Sequence, residues 1–214
     1  ANEIGTYLYD AGNRSWNAQE TSTDYINGIV SGEMTKPGAM AAATRSVVTA
    51  GTVPKDVSDS LKAIQAVYTL PSLESRTFRH AEPVKQADIV KLLLDLTGTS
   101  YDDNNLLIQA ARSGLIGSPQ AISDGYARRD QAVSLLVSYY RFRTKLAPNP
   151  QNPTAWSHYR DLNKVSSGVL NAVKFAIENG VIQESGNYFN PDKAITWGEL
   201  IVMLRRLLIL CGDL

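Results

Sequence analysis

The stretch from Ala176 to Arg206, AIENGVIQESGNYFNPDKAITWGELIVMLRR, constrains the fold more than any other part of the chain. It reads as the end of one helix, a turn at Gly180, an apolar pair, a short loop holding Phe189 and Pro191, and a second helix opened by Thr196. Weaker copies of this unit lie upstream. Phe189 precedes Thr196 by seven residues, and Phe78 precedes Lys85 by seven. In both, the phenylalanine is followed by a short loop, an apolar residue (Ile195, Val84), three mixed positions and an acid (Glu199, Asp88). A middle copy, SDGYARRDQAVSLL, puts Tyr126 at the apolar position and Asp130 at the acid, with Gln120 where a phenylalanine would stand. Recurrence of one supersecondary unit at a regular spacing is the mark of a repeat architecture. A fainter echo, Gly28 to Thr44, reaches into the N-terminal region.

Between these marks the chain alternates helix and loop. Val57 to Leu70 places Leu61, Ile64, Val67 and Leu70 near one helix face, with Ser58 or Asp59 as cap and Pro71 as stop. Lys85 to Thr97 is apolar on more than one face and so predicts a central, buried helix. Further helices are expected over Asp103 to Ser113, Arg128 to Leu146, Ser166 to Asn179 and Thr196 to Leu210, with Pro148, Pro150 and Pro153 forming a stiff connection before the last pair. Ala39 to Ala50 favours helix on propensity, whereas residues 1–35 suggest short extended pieces or a packed arm.

The resulting expectation is a mostly α fold of three helix–loop–helix units, residues 51–98, 99–147 and 154–214, within one compact domain over 51–214. An N-terminal arm or eroded partial unit over 1–50 precedes it. An apolar content of 43% is ample for a packed core. Twenty-one basic residues balance twenty-one acidic ones, which removes the electrostatic footprint of a dedicated nucleic-acid binder. No run approaches the ~18 apolar residues of a membrane span, and no signal peptide precedes Ala1. The single cysteine, Cys211, reads as a small apolar residue closing a helix.

The units resemble the S-layer homology (SLH) domain. In the third unit Tyr159, Arg160 and Asp161 fit its aromatic-x-Asp opening, Asn179 to Ile182 its turn, Phe189 to Pro191 its Phe-x-Pro loop, and Ile195 to Glu199 its helix start. The resemblance covers about residues 53–210. It implies a pseudo-threefold body around a central helical bundle, export to the cell surface or cell wall, and attachment to an anionic, pyruvylated secondary wall polysaccharide in grooves between units. The motif arginine that would hold the anion is retained as Arg128, with Gln86 and Trp197 as its counterparts. A guanidinium at a helix N-terminus clamps anions because bidentate hydrogen bonds add to free backbone N–H groups.

On that resemblance Arg128, Arg129 and Lys85 are candidates for an anionic substituent, Asp161 and Asp56 for sugar hydroxyls, and Trp197 for stacking on a ring. Each has a structural alternative: first-turn solvation for the cations, turn or cap duty for the acids, inter-helix packing for the tryptophan. Glu199 and Asp88 read as acids serving their own helix N-termini. His80 and His158 lack partners at metal-ligand spacing. No nucleophile elbow, P-loop, zinc-protease or dinucleotide motif is present, so the chain reads as a non-catalytic module without cofactor. The rival expectation is a structural protein that self-associates through a degenerate scaffold.

Overall fold

The computed structural model describes residues 52–74, 77–183 and 186–214, together with the backbone of five strands nearer the N-terminus. The described residues are mostly helical. Strands β1 (Ile4–Asp10), β2 (Ser15–Gln19) and β5 (Met40–Thr44) form an antiparallel sheet in the order β2-β1-β5, and β3 (Thr21–Asp24) pairs with β4 (Ile29–Gly32). The helix expected over Ala39 to Ala50 is therefore absent at Met40–Thr44, which instead pairs along β1 from Leu8 to Ile4; residues 45–50 lie outside the described ones. Alanine's helical preference is worth only tenths of a kcal/mol per residue, and a helix this short is marginal by itself, so pairing decides the conformation. Thr44 is the last residue of β5.

Among the described residues seven α-helices follow: α1 (Lys55–Gln65), α2 (Pro71–Glu74), α3 (Gln86–Thr97), α4 (Leu106–Ser113), α5 (Arg129–Thr144), α6 (Ser167–Glu178) and α7 (Trp197–Cys211). α1 is capped by Pro54 and stops at Gln65, so neither the expected cap nor the expected end at Leu70 holds. Pro71 opens α2 where a stop was expected, because a missing N–H costs nothing in a helix's first turn. α3 is the central helix its pattern predicts, with Ile89, Leu92, Leu93 and Leu94 fully buried.

Three short segments lie at the centre of the helical region. Val84 N–H donates to the Ile195 carbonyl at 2.9 Å, Ile195 N–H to the Ala127 carbonyl at 3.0 Å, and Ala127 N–H to the Val84 carbonyl at 2.7 Å. The three hydrogen bonds close a ring, and its members are fully buried. Immediately after it Lys85, Arg128 and Thr196 serve as N-caps, and α3, α5 and α7 run out from the ring. The ring gives the starts of α3, α5 and α7 a common register, and it shifts the sequence alignment by one residue at α5. Ala127, not Tyr126, corresponds to Val84 and Ile195. Tyr126 is exposed, and the third position of α5 is Gln131, not Asp130.

The remaining helices pack in circular order. α4 lies on α3, α6 lies on α5, and α1 lies on α7. Each of α3, α5 and α7 is thus covered by one of α4, α6 and α1. Left-handed glycines such as Gly114 (φ 82°) and Gly180 (φ 69°) end α4 and the turn after α6, a conformation that a Cβ disfavours. Cys211 closes α7 half-buried, and burial pushes its thiol up to about 11.

Candidate functional site

A cleft of about 450 Å³ opens between the N-termini of α1 and α7. Arg129 enters from the start of α5, Lys193 from the loop before α7, and Arg206 from the third turn of α7; Asp56 of α1 and Glu199 of α7 supply the negative charge. Three lining cations therefore converge on two carboxylates.

The electrostatics are set by burial. Arg129 is 3% exposed, its Nη1 lies 3.2 Å from Glu199 Oε1, and its guanidinium sits 5.5 Å from the Phe189 ring centroid. Burial lowers its pKa against the opposing pull of Glu199. Glu199 accepts from Lys193 Nζ at 2.8 Å and from Thr196 N–H at 3.0 Å, while its own N–H reaches Thr196 Oγ1 at 3.4 Å in a reciprocal capping box. Burial pushes the Glu199 carboxyl up, but the Lys193 and Thr196 hydrogen bonds and the charges of Arg129 and Lys193 outweigh it, so its pKa lies below the ordinary value. Arg206 is held below the usual guanidinium range by burial and by Arg205, against the attraction of Asp56, and its Nη1 lies 3.4 Å from the Val181 carbonyl.

Of the residues expected to bind from sequence, the structure brings Arg129 and Asp56 into this cleft. Arg128 lies elsewhere. Its side chain, 42% exposed, grips Asp130 through Nε at 3.1 Å and Nη2 at 2.8 Å and approaches Asp192 at 3.4 Å. It lines a second cleft of about 300 Å³ beside α5, with Gln86 and Gln131. In the register of the ring, the counterpart of Gln86 and Trp197 is Arg129, so the motif arginine is one residue later than the sequence suggested. Lys85 caps α3 in solvent and lines none of the clefts described here.

Trp197 is 2% exposed and lies edge-on to Phe78 at 6.3 Å, which makes it a packing residue unavailable for stacking on a sugar. Asp161 is 5% exposed, and its two carboxylate oxygens accept from Phe189 N–H at 2.8 Å and Asn190 N–H at 2.7 Å. It staples the Phe-x-Pro loop and has no face toward the cleft lining. Lys193 and Arg206 are the residues that sequence reasoning missed. Neither belongs to the helix-start motif, and Arg206 reaches the cleft only because the third turn of α7 faces the same side as its first.

Among the described residues no helix is long and apolar enough to cross a membrane, and no three His, Cys, Asp or Glu side chains gather as a metal site. No curated protein matches the sequence. Among solved structures, the chain is similar to an undecaheme cytochrome from the S-layer of Carboxydothermus ferrireducens at 16% identity and a TM-score of 0.43. That match covers 63% of this chain and 18% of the cytochrome, and at that score it supports no functional argument. The S-layer homology domain model matches residues 158–201, which run from the Tyr159–Asp161 opening through the Phe189 loop into α7. The third unit is accordingly similar to the S-layer homology domain over those residues.

Proposed function

We propose that the chain holds itself, or a larger exported protein, at the bacterial cell surface by binding an anionic wall polysaccharide, and that the cleft between α1 and α7 is the binding site. The observation that carries this reading is the convergence of Arg129, Lys193 and Arg206 on one open cleft from three separate elements. A carboxylate entering there meets planar guanidinium donors and an ammonium in partly desolvated surroundings, where charge-assisted hydrogen bonds are strongest. Asp56 and the Glu199 carboxylate supply acceptors for neighbouring sugar hydroxyls. The cyclic hydrogen bonds of Val84, Ala127 and Ile195, and the circular packing of α1, α4 and α6, support a pseudo-threefold body built from all three units.

The test is co-sedimentation with purified wall sacculi, before and after chemical removal of their secondary polymer. Binding is expected only while the polymer is present. Lys193→Ala, which removes an exposed cation without touching the core, should weaken it severalfold. Arg128→Ala should leave it unchanged, because Arg128 lines the other cleft. Failure of the wild-type protein to sediment at all refutes the proposal.

A further inference from the structure

The first turn of α7 is laced to the loop that leads into α3, and this loop sets His80 in the lining of the cleft between α1 and α7. The His80 carbonyl accepts the Gly198 N–H at 2.8 Å, the Glu82 carbonyl accepts the Trp197 N–H at 3.0 Å, and Pro83 pairs with Thr196. These contacts fix where the His80 side chain begins, and they are made by the main chain, so packing does not demand a histidine there. His80 is half-buried, and among the described residues its imidazole takes part in no hydrogen bond or ion pair. The ring is free to meet a ligand.

The charged groups that share the cleft with His80 come from every element around it: Asp56 from α1, Glu199 and Arg206 from α7, Lys193 from the loop before α7, and Arg129 from α5. On the loop of His80 itself, Arg79 and Glu82 form an exposed pair at 3.2 Å. Three cations against two carboxylates leave the cleft one formal positive charge, and an imidazolium makes it two. Two of those cations are already engaged, since Lys193 and Arg129 lie 2.8 Å and 3.2 Å from the Glu199 carboxylate. One more charge is therefore a large change. Arginine, lysine and carboxylate side chains ordinarily keep their charge between about pH 5 and 8, whereas histidine changes its charge within that interval. Of the residue types lining the cleft, histidine is the one that moves the balance there.

We infer that His80 is a ligand-contacting residue of this cleft and acts as a pH-dependent cation, so that the chain is held more tightly in acidic surroundings than in alkaline ones. A bound anion favours the imidazolium, so binding draws a proton onto His80, and by linkage affinity rises as pH falls. One added unit charge in a partly desolvated cleft changes affinity by about three- to tenfold. This rests on the reading of the α1–α7 cleft as the wall-polymer site; what it adds is control of attachment by acidity.

The experiment measures sedimentation with polymer-bearing sacculi at about pH 5.5 and about pH 8 for the wild-type chain, His80→Gln and His158→Gln. His158, the second of the chain's two histidines, stacks on Tyr159 at 4.1 Å and lies outside the cleft lining. Wild type and His158→Gln should bind about three- to tenfold more tightly at the lower pH. His80→Gln should bind alike at both, near the wild-type level at the higher pH, and it also controls for titration of the wall itself. Thermal melts check that the variants fold. A second measurement needs no variant: short fragments of the secondary polymer, released from the same sacculi and added to saturation, should raise the pH at which the His80 ring signals titrate in proton NMR and leave those of His158 in place. A wild-type affinity equal at the two pH values overturns the inference and leaves the wall-binding reading standing. So does a His80→Gln variant that keeps the pH dependence, or a His80 titration that saturating fragments do not move. Failure of the wild-type chain to sediment at either pH overturns the wall-binding reading and this inference with it.

Discussion

Asp161 and Trp197 carry the same lesson at the residue scale. Both fit a family pattern that suggests sugar contact, and both are consumed by the scaffold: one as the acceptor for two loop N–H groups, the other as the edge partner of Phe78. Sequence identifies such residues without revealing which way they face. Asp161→Ala leaves one buried and one part-buried N–H without its acceptor, and hydrogen bonds to a charged group are worth about 1.5–3 kcal/mol each, so a loss of about 2–4 kcal/mol is expected in urea unfolding. Asp161→Asn keeps one acceptor and should lose less. Glu199 makes a pH prediction of the opposite origin. Its folded pKa lies below the reference value of 4.5, so it contributes stability above that pH, and the contribution fades as pH falls through the folded pKa. Glu199→Gln should flatten the acid limb of a plot of Tm against pH. Asp95, raised above 3.8 mainly by burial, acts in the reverse sense, because its carboxyl holds a proton more tightly folded than unfolded.

At the scale of elements, the helices were legible wherever apolar spacing and glycine stops agreed, as in α3, α4 and α6. The middle unit was not, because Tyr126 beside Ala127 offered a larger apolar residue at the wrong place, and Asp130 then mimicked the acid of the other units. Only the backbone ring distinguishes the two registers. Where α1 meets α7, contact is tight enough to test by one methyl group. A Cβ on Gly198 would stand 3.2 Å from both the His80 carbonyl oxygen and Val57 Cγ2. The His80 carbonyl also accepts the Gly198 N–H at 2.8 Å and is not free to retreat. Gly198→Ala should therefore destabilise by about 1–3 kcal/mol through overpacking, despite alanine's better helix propensity. The readout is the urea midpoint at unchanged slope.

For the whole molecule, a threefold arrangement was implied by the family resemblance alone and not by residue spacing. Nothing in the spacing of Phe78 and Phe189 indicates that α1 covers α7. The cleft built between them draws Asp56 from one end of the helical region and Glu199 and Arg206 from the other. A two-residue cut in a connecting loop such as 148–152 should therefore leave the cleft assembled as long as the fragments stay associated, whereas removal of residues 52–66 should expose the α7 face and abolish sedimentation with sacculi. Gel filtration of the nicked and truncated forms, followed by the sacculus assay, distinguishes the two outcomes.

The packing of α4 on α3, α6 on α5 and α1 on α7 also fixes when the cleft between α1 and α7 can form. During synthesis α1 emerges before α7 and has no seat until α7 begins to leave the ribosome, some 130 residues later. The ring of three hydrogen bonds stays open for the same interval, since Ile195 is its last member. On the proposed function, binding is withheld until α7 is in place, and a chain truncated before α7 lacks the residues of the cationic cleft.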